Sequence, residues 1–101
     1  MTNLINILRL WFKLGKAIKE CGGLLEALKR GHNEEIGVEN LTRTLGDTIN
    51  IRKMFSQEAV LYETKNMPKM CARFLVLKGI FSEAERILSD WIEIESAGTA
   101  K

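Results

Sequence analysis

Nine of the twelve residues from Met70 to Phe81 are hydrophobic, and only Arg73, Lys78 and Gly79 interrupt them. With Asn66-Met67-Pro68 at its head, this run reads as a helix over Pro68 to Lys78 that ends at Gly79. A helix apolar nearly all round must lie at the centre of a bundle or be covered by a partner. That choice constrains the fold of this chain more than any other feature.

The rest of the chain has the same helical grammar. Pro68 is the single proline, and Leu, Ile, Glu and Lys dominate while the β-branched and aromatic alternation that marks strands is scarce. Thr2 or Asn3 can cap a first helix over about 3–21, in which Leu4, Ile7, Leu8, Trp11, Leu14 and Ile18 recur at spacings of three and four. Gly22-Gly23 should end or kink it, leaving a short segment from Leu24 to Arg30 and a polar loop from His32 to Gly37. A second helix is expected over Val38 to Lys65. As one rod it would be about 42 Å long, more than a compact domain of this size is wide, so a break is placed at Gly46-Asp47. After the apolar run, Ser82-Glu83-Ala84-Glu85 has the form of a capping box and should open a fourth helix that carries Ile87, Leu88 and Trp91. The expectation is therefore an all-α, compact bundle of four to five helices with a central hydrophobic third helix. It is one domain over residues 1–95, followed by a frayed tail over 96–101.

The hydrophobic fraction of 46 % and charged fraction of 28 % are those of a globular chain and not of a disordered one. The net charge of +2 names no partner, but its distribution is uneven. Residues 1–31 hold six cations against two acids, so the N-terminal third is the basic pole. Cys21 and Cys71, far apart and only two, read as reduced, packed thiols of a cytoplasmic protein. The apolar stretch from Leu4 to Leu14 is broken by Asn6, Arg9 and Lys13, which argues against a signal peptide or a membrane span.

Ala72, Leu75, Gly79, Phe81, Ala84 and Leu88 stand at the small, large, turn and aromatic positions of a tight helical hairpin. Over residues 66–94 this pattern resembles a single tetratricopeptide-type unit. Pro68 departs from it where that unit has an aromatic residue, and Trp91 where it has a small one. One repeat length upstream there is no second copy, whereas such units act as stacks. The resemblance implies a peptide- or protein-binding role.

No constellation with catalytic or metal-ligand spacing is present. His32, beside Asn33, Glu34 and Glu35, is the one histidine, and nothing in the spacing brings Cys21 or Cys71 to it. Gly22-Gly23 lacks the partners of a phosphate loop. No cofactor, metal or catalytic residue is expected. The leading expectation is a non-enzymatic protein-binding module, such as a small adaptor, inhibitor or chaperone-like regulator. It would act through an apolar surface carrying Phe74, Leu75, Ile80, Phe81 and Trp91, which would equally serve a homo-oligomer.

Two alternatives stand beside it. The run from Ser56 to Arg73 has the rough layout of a helix-turn-helix nucleic-acid-binding regulator, with Lys65, Lys69 and Arg73 as a phosphate-facing ridge. Leu61 and Lys65, however, occupy positions where that motif wants a small residue and Gly. The other alternative is peripheral membrane binding through the basic amphipathic helix 3–20, with Arg9, Lys13, Lys16 and Lys19 as its basic face and Glu20 interrupting it.

Overall fold

The computed structural model describes residues 2–30 and 37–99. They form three helices: α1 (Thr2–Arg30), α2 (Val38–Thr64) and α3 (Pro68–Thr99). The all-helical expectation holds, but the number of helices is three and not four or five. Each expected break inside a helix is passed over. Gly22-Gly23 lie within α1, Gly46-Asp47 within α2, and Gly79 with Ser82–Glu85 within α3. A glycine inside a helix costs only about 1 kcal/mol relative to alanine, whereas an interior proline costs about 3. Packing along one side of a long rod readily outweighs the smaller figure. The capping box also loses its acid, because the Glu85 carboxylate accepts a hydrogen bond from Arg52 Nε of α2 at 2.6 Å. Residues 66–94 consequently form no hairpin about Gly79, and the tetratricopeptide-like turn is not made.

Nor is the bundle compact. Its radius of gyration is 16.5 Å and its extents are 61 × 22 × 17 Å, against a radius of about 13 Å for a compact chain of this length. The cause lies in the unbroken helices. At 27 and 32 residues, α2 and α3 are about 40 and 48 Å long, so the protein lengthens to house them.

The sharp reversal comes at the α2–α3 turn. Asn66 has φ 59°, in the left-handed region that Asn tolerates. Its N–H donates to the Glu63 carbonyl at 3.0 Å, and the Met67 N–H donates to the Tyr62 carbonyl at 2.9 Å. This is the paired closure of a Schellman motif. Asn66, which at the head of the apolar run has the residue type of a helix cap, thus ends α2 and does not cap α3. The Met67 carbonyl accepts the Cys71 N–H at 3.0 Å, which puts Met67 in the capping position, and Pro68 follows where its missing N–H costs nothing. At the other end of α2, Gly37 adopts φ 77°, ψ 152°, a conformation open essentially to glycine alone.

From that turn α2 runs back along α3. Tyr62 stacks on Phe74 with ring centroids 5.3 Å apart, Phe55 lies 5.5 Å from Phe81, and Arg52 meets Glu85 further on. The contacts retreat along α2 as they advance along α3, so the pair is antiparallel. In contrast α1 is parallel to α3, Trp11 lying against Arg73 and the Cys21–Leu28 end beside Ile80 to Leu88. The α1 and α2 backbones nowhere approach within 8 Å of one another among the described residues. Both lean on α3, which is the central helix: Met70, Phe74 and Leu77 are buried with Leu14 of α1 and Ala59 of α2, and Leu77 has no exposed surface. The inward face of α1 carries Leu10, Trp11, Leu14, Ile18 and Cys21. Leu4 and Leu8, expected on that face, point outward.

Because Gly46 and Gly79 need no special backbone and have open space beside them, they are sites for stabilisation. A Cβ at Gly46 or Gly79 would meet nothing within 4 Å. Gly46→Ala and Gly79→Ala should each stabilise the protein by about 0.5–1 kcal/mol, raising the melting temperature by several degrees. Thermal unfolding followed by circular dichroism checks this. A lowered melting temperature for either variant would mean that the helix breaks there in solution.

Candidate partner-binding groove

Two helices that flank a third without meeting leave a trough between them. Near the C-terminal end of α1 this trough is a groove of about 310 Å³. One wall is made by Cys21, Leu24, Leu25 and Leu28 of α1, the other by Thr44 and Thr48 of α2. From α3 come Ile80, Phe81, Ala84 and Leu88. The Thr44 and Thr48 hydroxyls donate back to the Asn40 and Thr44 carbonyls at 2.9 and 2.7 Å, as such side chains do inside helices. Their hydrogen bonds are therefore made within α2, and the groove offers little to a polar ligand. Leu24, on the rim, is 71 % exposed. Small Ala84, where a longer side chain would reach in, helps keep the groove open.

The groove also holds one thiol. Cys21 and Cys71 are both free. Burial pushes the Cys21 thiol above its ordinary range, with the Glu20 carboxylate adding to the effect. The protonated thiol is a poor nucleophile, so Cys21 contributes to the groove as a small apolar side chain.

The five residues expected to form one partner surface fall in different places. Phe74 belongs to the core. Ile80 and Phe81 line the groove. Leu75 is exposed beside Cys71 and Ala72, and Trp91 lies half-buried near Leu28 and Lys29 at the far end of α1. The other groove residues were not anticipated there: Cys21, Leu24, Leu25 and Leu28 of α1, Thr44 and Thr48 of α2, and Ala84 and Leu88 of α3. Helical spacing marks the leucines as one apolar face, but no local signal says that the face stays uncovered.

The charged groups separate similarly. Arg9, Lys13 and Lys19 are exposed along α1, while Lys16 lies 3.9 Å from Glu20. Lys65 sits over the Tyr62 ring, 5.4 Å from its centroid, and Lys69 is exposed. Arg73 turns instead towards α1. Its guanidinium lies 3.1 Å from the centroid of the Trp11 indole, and Nη1 donates to the Trp11 carbonyl. Gly15 is what admits it: a Cβ there would stand 2.7 Å from Nη1. On the other side of α3 the Arg52–Glu85 pair is three-quarters shielded from water and ties α2 to α3.

Among the described residues no three His, Cys, Asp or Glu side chains gather where a metal ion could be held, and His32 lies outside those residues. Among the described residues no helix is long and apolar enough to cross a membrane. Fold and site together define an elongated three-helix protein built on a central α3, with an apolar groove between its flanking helices. No protein-family model matches the chain, nor does any curated protein or any solved structure.

Proposed function

We propose that this chain is a protein-binding module whose groove receives one amphipathic helix of a partner. The observation that carries the reading is the apolar lining contributed by α1 and α3, with Leu24 exposed at its rim and only two threonines facing it from α2. Leucines on α1 and Ile80 and Phe81 on α3 present apolar side chains over the buried Leu88, and no free polar group orients a small hydrophilic ligand. A helix laid into such a trough inserts side chains at i, i+3, i+4 and i+7. It would complete a four-helix arrangement around α3. Adaptor, inhibitor and chaperone-like regulator are the roles that suit a small module of this kind, and a second copy of the chain is the competing occupant.

The test is capture from native, nuclease-treated lysate by the tagged full chain, compared with Leu24→Glu and with Leu75→Ser outside the groove. Both positions are exposed, so neither change should disturb the fold, which circular dichroism verifies. A carboxylate at position 24 would have to be buried against the partner's apolar face. Binding of the captured protein should therefore weaken at least about tenfold in Leu24→Glu and persist in Leu75→Ser. Capture unaffected by Leu24→Glu, or lost on nuclease treatment, would remove the groove from the function. Capture of the chain itself in a groove-dependent manner would assign the groove to a homo-oligomer.

A further inference from the structure

The outward face of α1 has a different character from the groove. Leu4, Ile5, Leu8 and Phe12 are all exposed, Phe12 at 71 %. Ile5, Leu8 and Phe12 succeed one another at spacings of three and four, so they form one ridge. Lys16 and Lys19 continue that ridge at four and seven residues beyond Phe12, and Arg9 and Lys13 border it. Scattered exposed leucines are ordinary, but a contiguous apolar ridge marks an interaction surface. No acid occurs in the chain before Glu20.

We propose that α1 docks lengthwise on an anionic lipid surface through this face. An apolar ridge flanked by cations is what an interfacial helix uses: the apolar side chains enter the acyl boundary while the cations meet the headgroups. Charge complementarity selects this occupant. Two copies meeting through the face would oppose Arg9, Lys13 and Lys19 of one to the same cations of the other, with Glu20 offsetting only Lys16. A nucleic acid would satisfy the cations but set four large apolar side chains against phosphates. The core-facing residues of α1, from Leu10 to Cys21, stay on α3 throughout, so docking needs no opening of the bundle.

Flotation of the full chain with vesicles tests this. The protein should float with vesicles of phosphatidylcholine mixed with phosphatidylserine and stay behind with phosphatidylcholine alone. Added salt should weaken the association without abolishing it, since only the cationic part is screened. Phe12→Ser should lower partitioning by about tenfold, and the double change Lys13→Glu with Lys16→Glu should abolish it. All three positions are exposed, and unchanged helicity by circular dichroism separates docking from folding. Leu24→Glu, in the groove, should float like the parent. Failure to float with phosphatidylserine vesicles, equal flotation with the neutral ones, or insensitivity to Phe12→Ser would each overturn the proposal. So would tight binding to a DNA duplex that survives Phe12→Ser, which would assign the cations to phosphates.

Discussion

Replacing Phe74 with alanine should cost about 3–5 kcal/mol, a large share of the 5–15 kcal/mol that holds a domain of this size together. Phe74 is only 5 % exposed. It is stacked on Tyr62 at 5.3 Å and lies 6.1 Å from Phe55, within a core completed by Met70, Leu77, Ala59 and Leu14. Removing the ring leaves a void between two helices whose backbones are held apart by the neighbouring side chains, so collapse can fill it only in part. Phe81→Ala should cost less, because that ring borders an open groove and its void is already reached by water. Urea unfolding of both variants measures the difference. An unchanged midpoint for Phe74→Ala would take this ring out of the core and return it to the surface where its place in an apolar run first put it.

The second large effect is expected at Arg73, where Arg73→Ala should destabilise the protein by about 2–3 kcal/mol. Two contributions act together. A guanidinium over an indole in a partly desolvated site is worth about 1–2 kcal/mol. A charged donor to a backbone carbonyl is worth about 1.5–3, and since one group makes both contacts they do not simply add. Lysine should not rescue the loss, because an ammonium cannot stack on Trp11 and also reach its carbonyl. The loss should be localised. No backbone approach links α1 to α2, so α1 depends on α3 for its place. Amide hydrogen exchange in Arg73→Ala should therefore accelerate in α1 ahead of α2 and α3. Uniform acceleration across all three helices would mean that the clamp is not what seats α1.

How much of this was legible depends on the range of the interactions concerned. The boundary at Asn66-Met67-Pro68 is written in single residues: proline lacks an N–H and asparagine tolerates a left-handed backbone. The centrality of the 70–81 stretch was equally visible in its being apolar nearly all round, although only the face of Met70, Phe74 and Leu77 is buried and Leu75 and Val76 stay exposed. Gly46 and Gly79 were misread because a glycine's cost is small enough for packing to override. Glu85 was misread because its capping role competed with Arg52, 33 residues away. At the candidate site, Ile80 and Phe81 were legible as apolar and Leu24 to Leu28 as helical. Their meeting in one groove was not, because it follows from α1 and α2 lying apart on α3.

By itself, then, the sequence determined that the chain is helical, where α2 gives way to α3, and that an apolar segment of α3 must be covered. Those properties rest on backbone chemistry and on the 3.6-residue period, which act within a turn or two. Only the tertiary structure decided that three long rods form in place of four or five short ones. It also decided that Arg73 reaches 62 residues back to Trp11, and that α1 turns Leu10, Trp11 and Leu14 inward while Ile5, Leu8 and Phe12 face out. An apolar side chain carries the same hydrophobic driving force in either direction, and which face is buried depends on the neighbour that happens to lie against it.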